Sequence, residues 1–364
     1  DDDDVKLYHN GNQKLATTST GIDLTGTAVT DGVTVAGNLS VDGGTIKLDG
    51  NYPTGTENVA LGDTALDSVE SGGAWNVAIG AKALTALTTG DANTAVGRIA
   101  MESATTGGNN TALGYAALNA NTTASNNTAV GYQALTANTT GASQTAIGYN
   151  ALGANTTGSQ NTVIGYDALS NATAQINSTV IGYNTARSAS GSNLTAIGTQ
   201  TFYGSSTGDN NTGVGVNVGY DNTSGSSLTG VGSEALRKNT TASNNTAVGY
   251  QAGYSNTTGT DLVAIGSGAA YSNTTGAGNM AMGQNALYSN TTGAGNTALG
   301  TQLTGTGNAS LNQNTTGNYN TAAGTSSLKS NTTASNNTAF GYHAAFSNTT
   351  GTGLTAIGYS AMSF

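Results

Sequence analysis

The stretch Asn127-Thr128-Ala129-Val130-Gly131-Tyr132-Gln133-Ala134-Leu135 decides how the chain reads, because versions of it recur along most of the 364 residues. Its glycine serves as an anchor. Equivalents stand at Gly62, Gly80, Gly97, Gly114, Gly131, Gly148, Gly165, Gly182, Gly198, Gly215, Gly232, Gly249, Gly266, Gly283, Gly300, Gly324, Gly341 and Gly358. The gaps are 17 residues except for one of 18, one of 16 and one of 24. A fixed period of this length is the signature of a stacked repeat.

Each position in the repeat has a physical reading. The residue before the anchor is aliphatic, aromatic or Met in 17 of 18 copies, Ala323 being the exception. It is expected to form the core ladder, with Val96, Leu113, Val130, Ile147, Ile164 and Ile181 as its clearest members and Gly97, Gly114, Gly131, Gly148 and Gly165 as the anchors beside them. The run Thr-Ala-Val has strand character. A second apolar pair follows the anchor, as in Ala134-Leu135 and Ala151-Leu152. Then comes Asn-Thr-Thr-Gly or a variant, as at residues 138–141 and 290–293, which is turn chemistry because Asn and Gly tolerate positive φ. The expectation is two short strands per coil, separated by a glycine kink and closed by a turn.

The predicted fold class is therefore all-β: an elongated β-roll or β-solenoid with coils of about 17 residues. Residues 1–50 read as a β-rich stem of different period, 51–57 as a junction around the single proline, and 58–364 as the array, with an insertion in 301–311. One coil offers an aliphatic residue, a Leu and a few alanines. At about 25 cal/mol per Å² that burial hardly offsets about 1–2 kcal/mol of backbone entropy per residue. The shortage implies association of several chains, as an intertwined or side-by-side homotrimer.

Stacking also accounts for the composition. Equivalent residues in neighbouring coils lie about 4.8 Å apart, so a repeated charge would form a repelling column. Only 8% of residues are charged, and residues 71–364 carry a net charge of −1 against −9 for residues 1–70. Amides have the opposite preference, since stacked side chains hydrogen-bond along the ladder. Asn occupies the fourth position before the anchor in 12 of 18 coils, and Leu replaces it at Leu194, Leu228, Leu262 and Leu354. The first three lie 34 residues apart, so part of the array repeats in pairs.

Several function classes lack their residues. A near-neutral array offers no basic footprint for nucleic acid. No apolar run approaches the ~20 residues of a membrane helix. Cysteine is absent, and His9 and His343 are the only histidines. No catalytic constellation, metal cluster or phosphate loop stands out, so neither enzymatic activity nor a cofactor is expected. The acidic Asp1–Asp4 run lacks the glycine of a calcium loop and reads as a solvated terminus. The chain does not start with Met and shows no signal peptide, so it reads as a piece of a longer product. The candidate contact surfaces are two. Tyr115, Tyr132, Tyr149, Tyr166 and Tyr183 follow five consecutive anchors, a stripe suited either to stacking on sugar rings or to packing on itself. The insertion in 301–311 could project sideways.

Asn76-Val77-Ala78-Ile79-Gly80 and the stretch 127–135 resemble the Ser-Val-Ala-Ile-Gly repeat of trimeric autotransporter adhesin heads. The array, and the opening Val5-Lys6-Leu7-Tyr8-His9-Asn10-Gly11, look still more like repeat regions of bacteriophage tail fibres. The resemblance implies a homotrimeric left-handed parallel β-roll, often matured by a self-cleaving C-terminal chaperone. It implies a place on the virion or the cell surface, contact with other fibre proteins at the ends, and attachment to host cell-surface polysaccharide. The alternatives are a bacterial surface adhesin or extracellular filament, an ice-binding solenoid and a polysaccharide depolymerase. Ice binding would need a flat Thr-Xaa-Thr face, whereas Thr recurs beside the turns as Thr-Thr. A depolymerase would need a carboxylate cluster that the array lacks.

Overall fold

The structure, a computed structural model, describes residues 6–9, 12–18, 21–24, 57–70, 72–204, 206–302 and 309–363. The chain divides into two units, Asp1–Leu48 and Asp49–Phe364. In the first, β1 (Lys6–His9), β2 (Asn12–Thr18) and β3 (Gly21–Leu24) pair antiparallel in the order β1-β2-β3. The strand expected at 33–37, most of the 51–57 junction and Asp1–Asp4 lie outside the described residues.

The second unit is a β-solenoid. Eighteen three-residue strands, from β4 (Val59–Leu61) to β21 (Thr355–Ile357), run parallel, each pairing with the next. Register is strict: Thr128 lies beside Thr145, Ala129 beside Ala146 and Val130 beside Ile147. The long gap does not disturb it, because β18 (Thr297–Leu299) still pairs in register with β19 (Thr321–Ala323). Residues 303–308 of the insertion lie outside the described residues.

Each coil holds one strand, not the expected two. After the anchor the backbone alternates between right- and left-handed conformations, with φ of 54° and 53° at Gln133 and Leu135 and 51° and 54° at Asn150 and Leu152. Positive φ disfavours a leucine. Here the alternation turns every other N–H group to opposite neighbours: Gln133 donates back to Tyr115 O and Leu135 forward to Ala151 O, both at 2.9 Å, while Ala134 between them donates within the coil to Gly131 O. The segment thus bonds to the coils on both sides, as a strand does, without strand geometry. The anchor glycines form a column of their own. Gly148 has φ +132°, and a Cβ there would sit 2.3 Å from the carbonyl oxygen of Gly165.

The core also differs from expectation. Side chains alternate across a strand, so Thr-Ala-Val sends its middle residue one way and its outer two the other. The middle alanines, Ala95, Ala112, Ala129 and Ala146, are fully buried, facing the fully buried Leu118, Leu135, Leu152 and Leu169 of the segment after the anchor. The interior of a 17-residue coil takes a small residue against a leucine in most coils. Val163 and Val180 in mid-strand and Met101 and Phe202 at the leucine position are the larger exceptions, Phe202 packing where the neighbouring residues are Gly213 and Gly219. The predicted core ladder therefore lies outside: Leu113 is 47% and Ile147 37% exposed, and Val96, Val130, Ile164 and Ile181 are half-buried.

Two buried amide columns complete the interior. In the first, Asn110 Oδ1 accepts from the Asn127 backbone N–H and Asn127 Oδ1 from that of Gln144, both at 3.0 Å, while Asn127 Nδ2 donates to Gly141 O at 3.0 Å. The second is the turn asparagine. Asn256 donates to Asn239, Asn273 to Asn256 and Asn290 to Asn273 at 3.2, 2.8 and 2.7 Å, and each also donates to the carbonyl three residues on. Buried polar groups are tolerated because they are partnered.

The leucines that replace Asn in the first column have a packing cause. Leu194, Leu228, Leu262 and Leu354 each follow a coil whose buried leucine position holds Ala186, Gly219, Gly253 or Ala345. A Cβ on Gly253 would lie 3.1 Å from both Leu236 Cδ2 and Leu262 Cδ2. One wall of the coil shrinks and the other grows, so the volume stays constant. This exchange produces the 34-residue pairing.

Candidate functional site

The predicted tyrosine stripe exists as a stack of rings. Centroids from Tyr115 through Tyr132, Tyr149 and Tyr166 to Tyr183 are 5.1, 5.2, 4.9 and 5.5 Å apart, with planes within 18° of parallel, and Arg98 lies 5.8 Å from the first ring. The five follow consecutive anchors, so the spacing of coils becomes the spacing of rings. Each interior ring has both faces against neighbours. The stripe presents ring edges and hydroxyls, and the faces that would stack on a sugar are already in use.

A second aromatic column, missed from sequence, occupies the fifth position after the anchor. Tyr203 stacks on Tyr220 at 5.2 Å, and Tyr254, Tyr271 and Tyr288 stack at 5.0 Å each. Arg237 bridges the two groups, its guanidinium 5.5 Å from the Tyr220 ring and 5.8 Å from that of Tyr254. Its Nη1 donates to the Tyr254 hydroxyl at 2.9 Å, a bond that raises the arginine pKa above its ordinary value. Burial raises the Tyr271 phenol likewise, helped by Tyr288 and Tyr254. The interval of 17 from Tyr203 to Tyr288 was the available signal, concealed by the arginine in mid-column.

Beside the first stripe, at the second position after the anchor, runs a column of amides and acids. Asn150 donates to Asp167 at 2.9 Å, Gln251 to Glu234 at 2.7 Å, and Asn285 to Gln302. Gly268 interrupts it. There a cleft of about 360 Å³ opens, lined by Tyr250, Gln251, Ser267, Gly268, Asn285, Tyr288, Gln302 and Asn312. Of the cleft residues, Gln302 lies within 301–311 and Asn312 directly follows it.

The outer strand face is the remaining candidate surface. Its aliphatic column continues from Leu61 through Val214, Val231, Val248 and Ile265 to Phe340 and Ile357, all exposed, with strand-leading residues, mostly Thr, beside it. His343 packs between Tyr342 and Phe346, with centroids 4.0 and 4.6 Å away, which is a filler's place. The side chain of His9 lies outside the described residues. Among the described residues no three His, Cys, Asp or Glu side chains gather as metal ligands, and no helix is long and apolar enough to cross a membrane. Comparison with protein-family models, curated proteins and solved structures gives no match to this chain.

Proposed function

We propose that the chain is a structural fibre shaft, assembled as a homotrimer through the outer strand faces of its solenoids. The observation that carries this reading is the continuous apolar column on the strand side. Eighteen coils at about 4.8 Å make a ladder about 86 Å long and, at three residues per strand, about 10 Å wide. That is about 860 Å², close to the ~800 Å² per partner of a standard specific interface. The apolar half of this face, an unbroken column along the ladder beside a column of mostly Thr, marks an interaction site. Every chain carries the same face, so copies supply the cover. A bundle of this kind extends by adding coils and spaces a tip from a particle or cell. The array carries little charge, which speaks against nucleic acid as its partner.

The resemblance of residues 127–135 and of the opening strands to phage fibre repeats supports a tail fibre that attaches to host polysaccharide. Asn76-Val77-Ala78-Ile79-Gly80 favours a bacterial surface filament as the second reading. Mass photometry of the purified chain should give the mass of three 35.7 kDa copies. A monomer would overturn the assembly. Val231→Glu and Val248→Glu together, placing like charges on the shared face, should dissociate it while leaving the β spectrum unchanged. Antibodies against the array that label the tails of virions, and not bacterial surfaces, would decide between fibre and adhesin.

A further inference from the structure

We infer that the cleft at Gly268 is a binding site for one neutral pyranose ring, stacked on Tyr250 and held by the amides around it. This deepens the adhesive part of the proposed function, which it uses only as the source of the sugar.

Tyr250 holds the same position as the stacked tyrosines and differs from them in its neighbours. Ser233 and Ser267 stand where the other rings have Tyr, and Tyr250 is 54% exposed. The exposure is close to that of the stacked Tyr183, at 52%; what differs is that serines leave Tyr250 without a ring stacked in its column, and it lines the cleft instead. The next coil contributes Ser267 and Gly268, the smallest pair at these two positions in the coils around it. The slot that opens spans two coil spacings, about 10 Å, twice the separation at which the rings of the stripes touch.

The polar groups converge in a saccharide-like pattern. Asn285 leans over Gly268 so closely that a Cβ on the glycine would sit 2.3 Å from its Oδ1, which sets that oxygen in the cleft as an acceptor. Asn285 Nδ2 donates to Gln302 Oε1, which leaves the Gln302 amino group as a donor. Gln251 spends its amino group on Glu234 and keeps its oxygen as an acceptor. Asn312 Nδ2 donates to Asn285 O at 3.0 Å and ties the far wall to the coil. Ser267 adds a hydroxyl. Alternating donors and acceptors around an aromatic face match a ring whose hydroxyls both give and take hydrogen bonds and whose C–H face is apolar. None of the residues lining the cleft is charged, so it offers no counter-charge to an acidic or basic sugar and favours a neutral one.

The test is saturation-transfer NMR on the full chain, with the methyl glycosides of glucose, galactose, mannose and N-acetylglucosamine as probes and oligomeric mass measured in parallel. Transfer to the ring protons of at least one probe is expected. It should be lost in Tyr250→Ala and in Gly268→Asn, which refills the amide column as Asn150 and Asn184 do, and kept in Tyr132→Ala. Gly268→Asn guards against misfolding in the first variant, since Asn at this position is native to other coils. Absence of transfer from all four probes, or transfer that survives both variants, would overturn the site. Because mass is read separately, a trimer without transfer rejects the site and keeps the shaft, and a monomer with transfer does the reverse.

Discussion

The coils anchored from Gly114 to Gly182 and those from Gly198 to Gly283 share one backbone and differ in which side chains form columns. The first group stacks tyrosines just after the anchor, keeps leucine on one wall in all but its last coil, where Ala186 stands, and holds asparagine, glutamine or serine opposite. The second moves its aromatics four positions on, threads an arginine through them and twice exchanges the leucine for glycine with a leucine across the coil. The lesson is that a side chain here answers chiefly to the coil above and the coil below. What both groups keep is the frame; what differs is set column by column.

The strongest way to break the comparison is to strike the frame, which should hurt either group alike. Gly148→Ala places a Cβ against the Gly165 carbonyl at a φ of +132°, and the loss should be about 3 kcal/mol or more, read as a lowered denaturation midpoint and as lost hydrogen-exchange protection around coils 148 and 165. Gly278→Ala is the control. Its φ of +66° is similarly left-handed but nothing lies within 4 Å, so about 1 kcal/mol is expected. Asn127→Ala strikes the other shared element. It leaves the Gln144 N–H buried without a partner, while the Gly141 carbonyl keeps its bond from Asn138 Nδ2 at 2.9 Å, for about 1–3 kcal/mol on the same measurement.

Subtler tests sharpen what is particular to the second group. Gly253→Leu and Leu262→Asn should each destabilise alone, while the double variant recreates the pairing of the first group. A double-mutant cycle by denaturation should give a favourable coupling of about 2 kcal/mol. Additivity would refute the volume exchange. The smallest effect concerns Tyr271, whose phenol is raised above its ordinary 10.0. A raised folded value means the protonated phenol is favoured in the folded state. Its contribution is present in full below the unfolded value and disappears as pH rises through the folded one. Stability of the parent chain should thus fall more between pH 9 and 11 than that of Tyr271→Phe.

Much of this frame was legible in the sequence. The anchor spacing revealed the coils, and Asn at a fixed offset revealed the amide column, because stacking repeats a requirement at every level. The orientation of the strand was not. With three residues there is too little alternation to tell inside from outside, and Val130 or Ile147 is the obvious core residue until the small interior excludes it. Leu118 and Leu135 suggested a second strand because nothing in a leucine announces positive φ; the hydrogen bonds to both neighbouring coils impose it. The tyrosine stripe was visible as a list of residues but not as rings covering one another. The cleft was invisible because it arises from side chains that are missing, at Ser267 and Gly268.

The regular one-strand coil also has a mechanical meaning. The bonds between coils lie along the solenoid axis and repeat almost unchanged, so a single chain pulled from its ends would pay out in equal steps. Each released coil of 17 residues gives about 58 Å of extended chain in exchange for the about 4.8 Å it occupied. In a force spectrometer such a ladder would yield a sawtooth of uniform teeth, and a tether built this way dissipates a sudden load one coil at a time instead of snapping.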